Sequence, residues 1–315
     1  MKAAIVRAFG DPEVLQLVER DPPVPGAGEL LVRIEACGLN WSDLLQRAGL
    51  YPGGPTPPFV PGQEAAGIVV GHGPGVSGPA LGTAVSVIAA SGLCAEYAAV
   101  PAAACLALPG PADHRAALPI ALLTAYTALT AGGHAAAGEL FVLHAAGGGL
   151  GTIALQVARR LALRVIATCA PAKRDQVAAL GAEQVCGYDD FAAVARAAGG
   201  ADLVLDSIGG AVFRRSCDSV RSPGRIVIVG CTSGEPQRVD AVKLVHRSIA
   251  VIGWHLRAVL ADPELRRAAV AGCTPWLADG SIRPYIARAV PLAEIRAAHE
   301  LMASRQIFGK LVVMP

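Results

Sequence analysis

The segment HAAGGGLGTIALQ, residues 144–156, is dense in glycine and then abruptly aliphatic. An apolar strand-like run, ELFVLHA, leads into it, and a helix-like run, GTIALQVARRL, forms its second half and continues beyond it. Small residues stand at Ala146, Gly148 and Gly151, which is the spacing of G-x-G-x-x-G with alanine first. In a dinucleotide site such residues let the main chain approach the pyrophosphate, and the helix N-terminus supplies N–H groups. A glycine-rich turn that binds nothing has the same local pattern, so the flanking sequence must decide between the two.

Apolar strands alternate with helices on both sides of this segment. From about residue 118, helix-like stretches such as LPIALLTAYTALTA and KRDQVAALG separate the apolar runs RVIATCA, ADLVLD, RIVIVG and IAVIG. This alternation predicts βαβ units and a parallel sheet covered by helices on both faces. The setting therefore favours dinucleotide binding over a turn without a ligand.

The two ends of the chain have a different character. The first third contains short β-type runs broken by glycine and proline, and the end contains two amphipathic helices followed by the strand GKLVVMP. We predict an α/β protein in which residues 1–117 and 257–315 form a β-rich domain. Residues 118–256 form a doubly wound nucleotide-binding domain between them.

Composition excludes several classes of protein. The 315 residues are 53% hydrophobic and 17% charged, with a net charge of +2 and no basic run, so neither disorder nor nucleic-acid binding is expected. The N-terminus reaches a charge and a proline too early for a signal peptide, and no apolar run is long enough to span a bilayer. Eight scattered cysteines without paired spacing indicate thiols in a reducing cytoplasm.

Several motifs in fixed order resemble the zinc-independent quinone oxidoreductase family of the medium-chain dehydrogenase/reductase superfamily. They are ACGLNWSDLLQRAGLYP, PFVPGQEAAGIVVGHGPGV, LTAYTAL, HAAGGGLGTIALQVAR, VLDSIGG and SRQIFGKLVV, and they cover essentially the whole chain. The resemblance implies a GroES-like β-rich domain beside a Rossmann-type domain. The chain departs from the family pattern at GTAV, residues 82–85, and at Gln63, which stands where serine or threonine is common.

The resemblance also implies site residues. Asn40 and Tyr51 would line the catalytic pocket, with Asn40 donating a hydrogen bond to the acceptor carbonyl and Tyr51 orienting the substrate or relaying a proton. Gln63 and Trp254 would line the substrate pocket. Contacts to the cofactor are expected from Thr124, Ala146, Gly148, Gly149, Leu150, Gly151, Thr168, Lys173, Arg174, Tyr188, Ser207, Val229, Gly230, Trp254 and Lys310.

Structural roles compete with these assignments. Asn40 could stabilise a turn, Tyr51 could be a surface aromatic in a loop, and Trp254 could be a core side chain. Asp43 is interpreted as a carboxylate at a helix N-terminus.

Zinc alcohol dehydrogenases of the same superfamily are the main rival. They hold zinc at positions that here correspond to Asn40, Gln63 and Ile120, none of which is a competent zinc ligand. Without a Lewis acid, alcohol oxidation becomes unattractive, and hydride transfer to a quinone or an α,β-unsaturated carbonyl remains. An enoyl reductase acting on a biosynthetic thioester shares these motifs, as does an NADPH-binding structural or regulatory protein with little turnover.

The end of the strand RVIATCA favours NADPH over NADH. An enzyme for NADH places an acidic residue there to take the ribose 2′-hydroxyl, but no Asp or Glu follows until Asp175. Lys173 and Arg174 stand beside the turn instead and could bind a 2′-phosphate, unless they merely solvate the start of a helix. Tyr188 matches a family position that closes over the same phosphate.

We also expect a homodimer. The runs RIVIVG and IAVIGWHL are strongly apolar and late in the parallel sheet, so one of them should lie at an edge. Relatives that resemble this chain pair there.

Overall fold

The computed structural model describes every residue from Met1 to Pro315. The chain folds into two units: Met1–Ile120 together with Arg283–Pro315 form the first, and Ala121–Ile282 form the second. None of the helices has both the length and the hydropathy needed to cross a membrane.

The first unit is built mainly of β-strands. Its strands are β1 (Lys2–Val6), β2 (Leu15–Glu19), β3 (Glu29–Gly38), β4 (Glu64–His72), β5 (Ala84–Ile88), β6 (Tyr97–Pro101), β7 (Cys105–Leu106), β14 (Ile286–Pro291) and β15 (Lys310–Met314). Seven of them form one sheet, in the order β14-β15-β3-β4-β5-β7 with β6 paired to β3, and β1 pairs with β2. Along β3 buried residues alternate with more exposed ones, and the buried face packs into a core of Val, Leu and Ile side chains.

The terminal strand returns to this first sheet. Strand β15 pairs antiparallel with β3 through Val312 opposite Gly38 and Val313 opposite Cys37, and parallel with β14. Leu311, Val312 and Val313 are fully buried. The prediction that GKLVVMP packs on the β-rich domain is therefore confirmed, although almost the whole chain separates the paired strands.

The second unit is a six-stranded parallel sheet with helices. Its strands are β8 (Leu140–Leu143), β9 (Arg164–Thr168), β10 (Gln184–Cys186), β11 (Ala201–Asp206), β12 (Val220–Ile228) and β13 (Ile249–Gly253). Their order is β10-β9-β8-β11-β12-β13, and every pair is parallel. From β8 the strands are added toward one edge of the sheet, and from β11 they are added toward the other edge. The boundary between β8 and β11 is therefore the switch point of a Rossmann-type fold.

Eleven α-helices accompany the strands. They are α1 (Trp41–Arg47), α2 (Ala112–Ala117), α3 (Pro119–Thr127), α4 (Gly149–Arg160), α5 (Arg174–Ala179), α6 (Phe191–Ala197), α7 (Gly210–Ser219), α8 (Ala241–Arg247), α9 (Leu256–Ala261), α10 (Pro263–Ala278) and α11 (Ile295–Ala303). A π-helical turn, Ala128–Gly132, follows α3. The predicted alternation of strands and helices is confirmed throughout the second unit.

The boundary near the C-terminus differs from the sequence prediction. Residues 257–282, which include α10 and all of α9 except Leu256, belong to the second unit and not to the β-rich one. The ring of Trp276 meets that of Tyr126 edge-on at 5.5 Å, and a Cβ on Gly272 would lie 2.1 Å from the Tyr126 hydroxyl oxygen. Helical periodicity identified the apolar face of α10, but periodicity does not say which domain that face packs against.

A buried histidine joins three elements of the nucleotide unit. His144, at the end of β8, lies within 2.9 Å of Thr168 Oγ1 and 2.8 Å of Ser216 Oγ. Because Ser216 Oγ donates its own proton to Val212 O, it accepts from His144 Nε2, and Thr168 therefore donates to Nδ1. Burial lowers the pKa of His144 to about 3, so the ring is neutral and ties β8 to β9 and α7.

The neutral state of His144 makes stability depend on pH. In the unfolded chain its imidazole takes up a proton below pH 6.5 or so, whereas in the folded chain it stays neutral down to about pH 3. The free energy of unfolding should therefore fall as pH drops through this window, by roughly 2 kcal/mol at pH 5 from this group. Urea unfolding at pH 7.5 and pH 5 should show a smaller pH effect in His144→Gln than in the wild type. The exposed His246→Gln is the control, and an equal pH effect in all three proteins would contradict this role.

Candidate active site

Asn40 lies at the junction of β3 and α1 in the first unit. Its backbone N–H donates to Asp43 Oδ2 at 2.7 Å, and the N–H of Asp43 donates back to the Asn40 carbonyl at 3.0 Å. This reciprocal pair fixes the start of α1. The interpretation of Asp43 as a carboxylate at a helix N-terminus is confirmed. Asn40 takes part in this turn through its backbone N–H and carbonyl groups, so the turn does not use its side chain.

The side chain of Asn40 has a second set of contacts. Its Oδ1 accepts from Lys310 Nζ at 2.7 Å, and its Nδ2 donates to Glu64 Oε1 at 2.9 Å. Lys310 Nζ also donates to Glu64 Oε1, and Glu64 Oε2 accepts from the backbone N–H of Ile120 at 2.7 Å. The Lys310 and Glu64 side chains are 3% and 0% exposed, so this is a buried ion pair. Asn40 is therefore more than a turn residue.

These contacts allow only one orientation of the Asn40 amide. The opposite orientation would set the amide N–H groups against the Lys310 ammonium and the amide oxygen against the Glu64 carboxylate. In the observed orientation one Nδ2 proton goes to Glu64, and the second can donate to another group. Asn40 is half-buried, so the site offers a neutral hydrogen-bond donor held in a fixed direction.

Two further polar features lie close to Asn40: the carboxyl group of Asp43 and the hydrogen bond between Ser42 and Gln63. Burial raises the pKa of the Asp43 carboxyl to about 7, against the opposing effects of the Asn40 N–H and the Lys310 charge, and its Oδ1 has no hydrogen-bond partner. Ser42 Oγ, on α1, donates to Gln63 Oε1, which holds the predicted pocket residue Gln63 in a buried position just before β4. A carboxyl group that titrates near neutrality therefore adjoins the amide donor.

Tyr51 lies in the turn that follows α1. The N–H of Leu50 donates to the Leu45 carbonyl at 2.8 Å, and that of Gly54 donates to the Tyr51 carbonyl at 3.0 Å. These bonds fold the loop back beside α1 and leave the Tyr51 side chain half-exposed. Its predicted part in catalysis stays a prediction.

The glycine segment forms a tight strand-to-helix turn in the second unit. A Cβ on Gly151 would lie 2.2 Å from the Ala145 carbonyl oxygen and 2.6 Å from Ala146 Cα, so only glycine lets α4 pack this closely on the turn. Gly148 is the N-cap of α4, and Gly149, Leu150 and Gly151 form its first turn. The N–H groups of this turn have no partner within the helix and can receive phosphate oxygens.

Lys173, Arg174 and Tyr188 follow the adjacent strands β9 and β10. Arg174 crosses between them, because its Nη2 lies 3.7 Å from the position that a Cβ on Gly187 would occupy. Arg215 donates to the Tyr188 carbonyl at 3.4 Å and pairs with Asp189 at 2.9 Å, which holds the Tyr188 turn. The structure thus places Arg174, one of the cationic residues expected to bind a 2′-phosphate, beside the turn that carries Tyr188.

The remaining predicted cofactor residues divide into two groups. Ser207, Val229 and Gly230 follow β11 and β12, so they lie at the same carboxyl edge of the sheet as the glycine segment. Thr124 is buried within α3, which precedes the first strand of the nucleotide sheet and does not follow the carboxyl end of any of its strands. The strand-end position is the one in which open α/β sheets hold ligands.

Three predicted site residues have structural partners that the sequence did not reveal. Thr168 is fully buried and donates its hydroxyl to His144. Lys310 belongs to the ion pair of the first unit. Trp254 is half-buried, donates Nε1–H to Thr127 Oγ1 at 3.0 Å and packs on Gly132, where a Cβ would lie 2.8 Å from the ring. Its predicted place in the pocket stays a prediction. To contact a cofactor as well, Thr168 would have to do so while bonded to His144, and Lys310 while paired with Glu64.

Sequence reasoning missed Glu64 and the buried Asp206. The Asp206 carboxylate, at the end of β11, accepts from the backbone N–H groups of Ile208 and Gly209 at 2.8 and 2.9 Å. In VLDSIGG, residues 204–210, an aspartate is followed by serine and glycines, a pattern typical of a turn in which the carboxylate accepts backbone hydrogen bonds. Glu64 gave no local signal, because its partner Lys310 is 246 residues away.

The side chains offer no group of three or more His, Cys, Asp and Glu residues placed to hold a metal ion. All eight cysteines are free thiols.

Two family models match the chain. That of the alcohol dehydrogenase GroES-like domain matches residues 26–111, in the first unit. That of the zinc-binding dehydrogenases matches residues 180–313. The two-domain organisation of medium-chain dehydrogenases thus accounts for both units.

Known proteins are similar over the full length of the chain. The human synaptic vesicle membrane protein VAT-1 homolog is 29% identical over 100% of this chain and 86% of its own length. A quinone oxidoreductase from Lama guanicoe is 30% identical over 100% of this chain and 97% of its own length. The quinone oxidoreductase of Thermus thermophilus, whose crystal structure was also solved in complex with NADPH, is 36% identical and superimposes with a TM-score of 0.88 over the whole of both chains.

The identity, the coverage and the two domain matches agree with the resemblance found in the motifs. The chain is an oxidoreductase and belongs to the zinc-independent quinone oxidoreductase family of the medium-chain dehydrogenase/reductase superfamily.

Proposed function

We propose that this protein is an NADPH-dependent reductase of quinones or α,β-unsaturated carbonyls and that it works without a metal ion. The observation that carries the proposal is the Asn40 amide, oriented by Glu64 and Lys310 so that one N–H can donate to a substrate oxygen. A neutral, fixed donor suits an acceptor that becomes negatively charged on oxygen during the reaction. The quinone oxidoreductases among the relatives support the same class of substrate.

The second unit would bind the cofactor at the carboxyl edge of its sheet. The close approach at Gly151 and the first turn of α4 fit a pyrophosphate, and the turns after β11 and β12 extend the same edge. When bound, NADPH supplies a hydride. The residues that would hold it are the glycine segment, Lys173, Arg174, Tyr188, Ser207, Val229 and Gly230.

The first unit would handle the acceptor. As hydride reaches the acceptor carbon, the conjugated oxygen gains negative charge, and the free Nδ2–H of Asn40 stabilises it. The product then needs one proton, which Tyr51 can deliver through its phenol or water can deliver directly. Gln63, fixed by Ser42, would contact the acceptor from the side of α1.

The proposal of metal-free chemistry rests on the donor set. Asn40, Gln63 and Ile120 stand where zinc-dependent relatives would carry ligands, and amide or aliphatic side chains do not replace thiolate, imidazole or carboxylate. Asn40 and Gln63 also have protein partners of their own.

The free state of all eight cysteines supports a place in the reducing cytoplasm.

An acceptor panel tests this function. With NADPH, we expect turnover on quinones and small enones, and the same rates after exhaustive treatment with a chelator. Zinc content measured on the same sample should be well below one ion per chain. Turnover only on enoyl thioesters would indicate a biosynthetic enoyl reductase, and tight NADPH binding without turnover on any acceptor would indicate a structural or regulatory protein. Stoichiometric zinc with loss of activity on chelation would refute the metal-free chemistry.

The preference for NADPH rests on Arg174 and Lys173. No acidic residue stands at the end of β9 to take a ribose 2′-hydroxyl, since the first one is Asp175 in the following helix, and Arg174 reaches across the turn before Tyr188. A forked guanidinium binds phosphate oxygens in pairs, so a 2′-phosphate would gain charge-assisted hydrogen bonds that NADH cannot make.

Arg174→Ala should therefore weaken NADPH binding and leave NADH binding almost unchanged. A hydrogen bond to a charged group contributes about 1.5–3 kcal/mol, so the dissociation constant for NADPH should rise about 10- to 100-fold. Titration of both cofactors into wild type and variant measures this. Arg196→Ala, on the exposed surface of α6, is the matched control. Equal losses for both cofactors, or a wild type that prefers NADH, would show that Arg174 does not read the phosphate.

We also propose that the protein is a homodimer that pairs through the edge of the nucleotide sheet. Strand β13 is the last strand of that sheet, so one side of its backbone has no strand partner. Helix α8 precedes it and exposes Val242 and Val245, which are 66% and 78% exposed. Exposed apolar side chains beside an open strand edge favour pairing with a second copy.

Light scattering at micromolar concentration should give twice the chain mass of 32.0 kDa. Replacing both Val242 and Val245 by glutamate should shift the mass toward that of the monomer, because burying the new charges opposes association. Val24→Glu is the control, since Val24 is 89% exposed and belongs to the first unit. A monomeric wild type would contradict the proposal.

A further inference from the structure

We propose that Lys310 and Glu64 are positioning residues for the reduction: together they hold the Asn40 amide so that its free N–H points toward the acceptor oxygen. This inference rests on the proposed function. It gives Lys310 a part in handling the acceptor in place of the cofactor contact expected from the sequence.

The contacts form a closed triangle. Lys310 Nζ donates to both Asn40 Oδ1, at 2.7 Å, and Glu64 Oε1, and that same carboxylate oxygen accepts from Asn40 Nδ2 at 2.9 Å. An amide that accepts from a cation and donates to an anion cannot flip without facing like partners. The positions of the Lys310 cation and the Glu64 anion therefore determine the direction of the remaining N–H.

The surroundings keep the triangle rigid. Glu64 Oε2 is held by the backbone N–H of Ile120 at 2.7 Å, so the carboxylate cannot turn away. A Cβ on Gly38 would lie 2.8 Å from Glu64 Oε1 and 2.3 Å from the Ala116 carbonyl oxygen, so a side chain there would displace the carboxylate. The backbone of β3 thus packs directly against the charged group.

Stability alone does not explain an ion pair in this position. Removing two charges from water is costly, and apolar side chains of similar size often stabilise a core as well or better. Within the triangle the charges of Lys310 and Glu64 cancel, so Asn40 is a neutral donor whose two partners carry no net charge. Orientation of a polar group is what this pair adds over a pair of apolar residues.

A double-mutant cycle on Lys310 and Asn40 tests the positioning role. Lys310→Met should lower kcat on the preferred acceptor by about 10- to 100-fold, the cost of misplacing a catalytic contact. In the Asn40→Ala background, Lys310→Met should cause little further loss, because the group that it orients is absent. The dissociation constant for NADPH should stay unchanged in all variants. Lys243→Met, which removes an exposed lysine paired with Asp218, is the matched control.

A second readout does not depend on activity. In ¹⁵N-labelled wild type, the Asn40 side-chain amide, assigned by its loss in Asn40→Ala, should exchange slowly with solvent and show two well-separated proton shifts. In Lys310→Met both features should be lost. If the single variant does not fold because Glu64 is left unpaired, Glu64→Gln combined with Lys310→Met removes both charges and is measured instead, with the same expected losses of kcat and of slow exchange.

Several results would overturn the proposal. They are an equal loss of kcat from Lys310→Met in both Asn40 backgrounds, a weakened NADPH affinity, an Asn40 amide signal unchanged by the variants, or a folded double variant with the wild-type kcat. Failure of the proposed function looks different, because the wild type would then turn over no quinone or enone, while the amide signal would still report on the triangle.

Discussion

A buried ion pair between Lys310 and Glu64 joins the last strand of the chain to β4. Lys310 begins the last strand and Glu64 begins β4, so the pair closes the first unit across 246 residues. Both charges are removed from water, so a variant that lacks one of them leaves the other buried without its partner. The same contacts fix Asn40, the side chain that binds the acceptor oxygen in the proposed reaction. The contact that brings the last strand to β4 is therefore also the one that orients Asn40.

The nucleotide unit depends on a different constraint, which is close packing. The missing Cβ at Gly151 allows α4 to approach the end of β8, and this approach aims the first turn of α4 at the carboxyl edge of the sheet. Beneath it, the neutral His144 links β8 to β9 and α7 through two hydroxyl groups. A phosphate-binding turn of this kind uses backbone groups, so its chemistry depends on shape more than on particular side chains.

The two units therefore contribute different kinds of recognition. In the first, opposite charges cancel and leave one oriented amide, which suits a neutral carbonyl compound. In the second, Lys173 and Arg174 add positive charge at the turns beyond β9 and β10, which suits a phosphate. A zinc-dependent relative polarises its substrate with a cation, whereas here the amide of Asn40 takes that part in the proposed reaction.

Local sequence determined much of this protein: the order of strands and helices, the glycine turn, the absence of an acid after β9, and the family. Such features depend on neighbouring residues, on side-chain periodicity and on motif spacing, which a linear sequence displays. Tertiary structure decided that α10 packs in the nucleotide unit, that Thr168 donates to His144, and that Lys310 pairs with Glu64 beside Asn40. These outcomes join residues far apart in the chain, and burial, which sets their energies, exists only after the chain has folded.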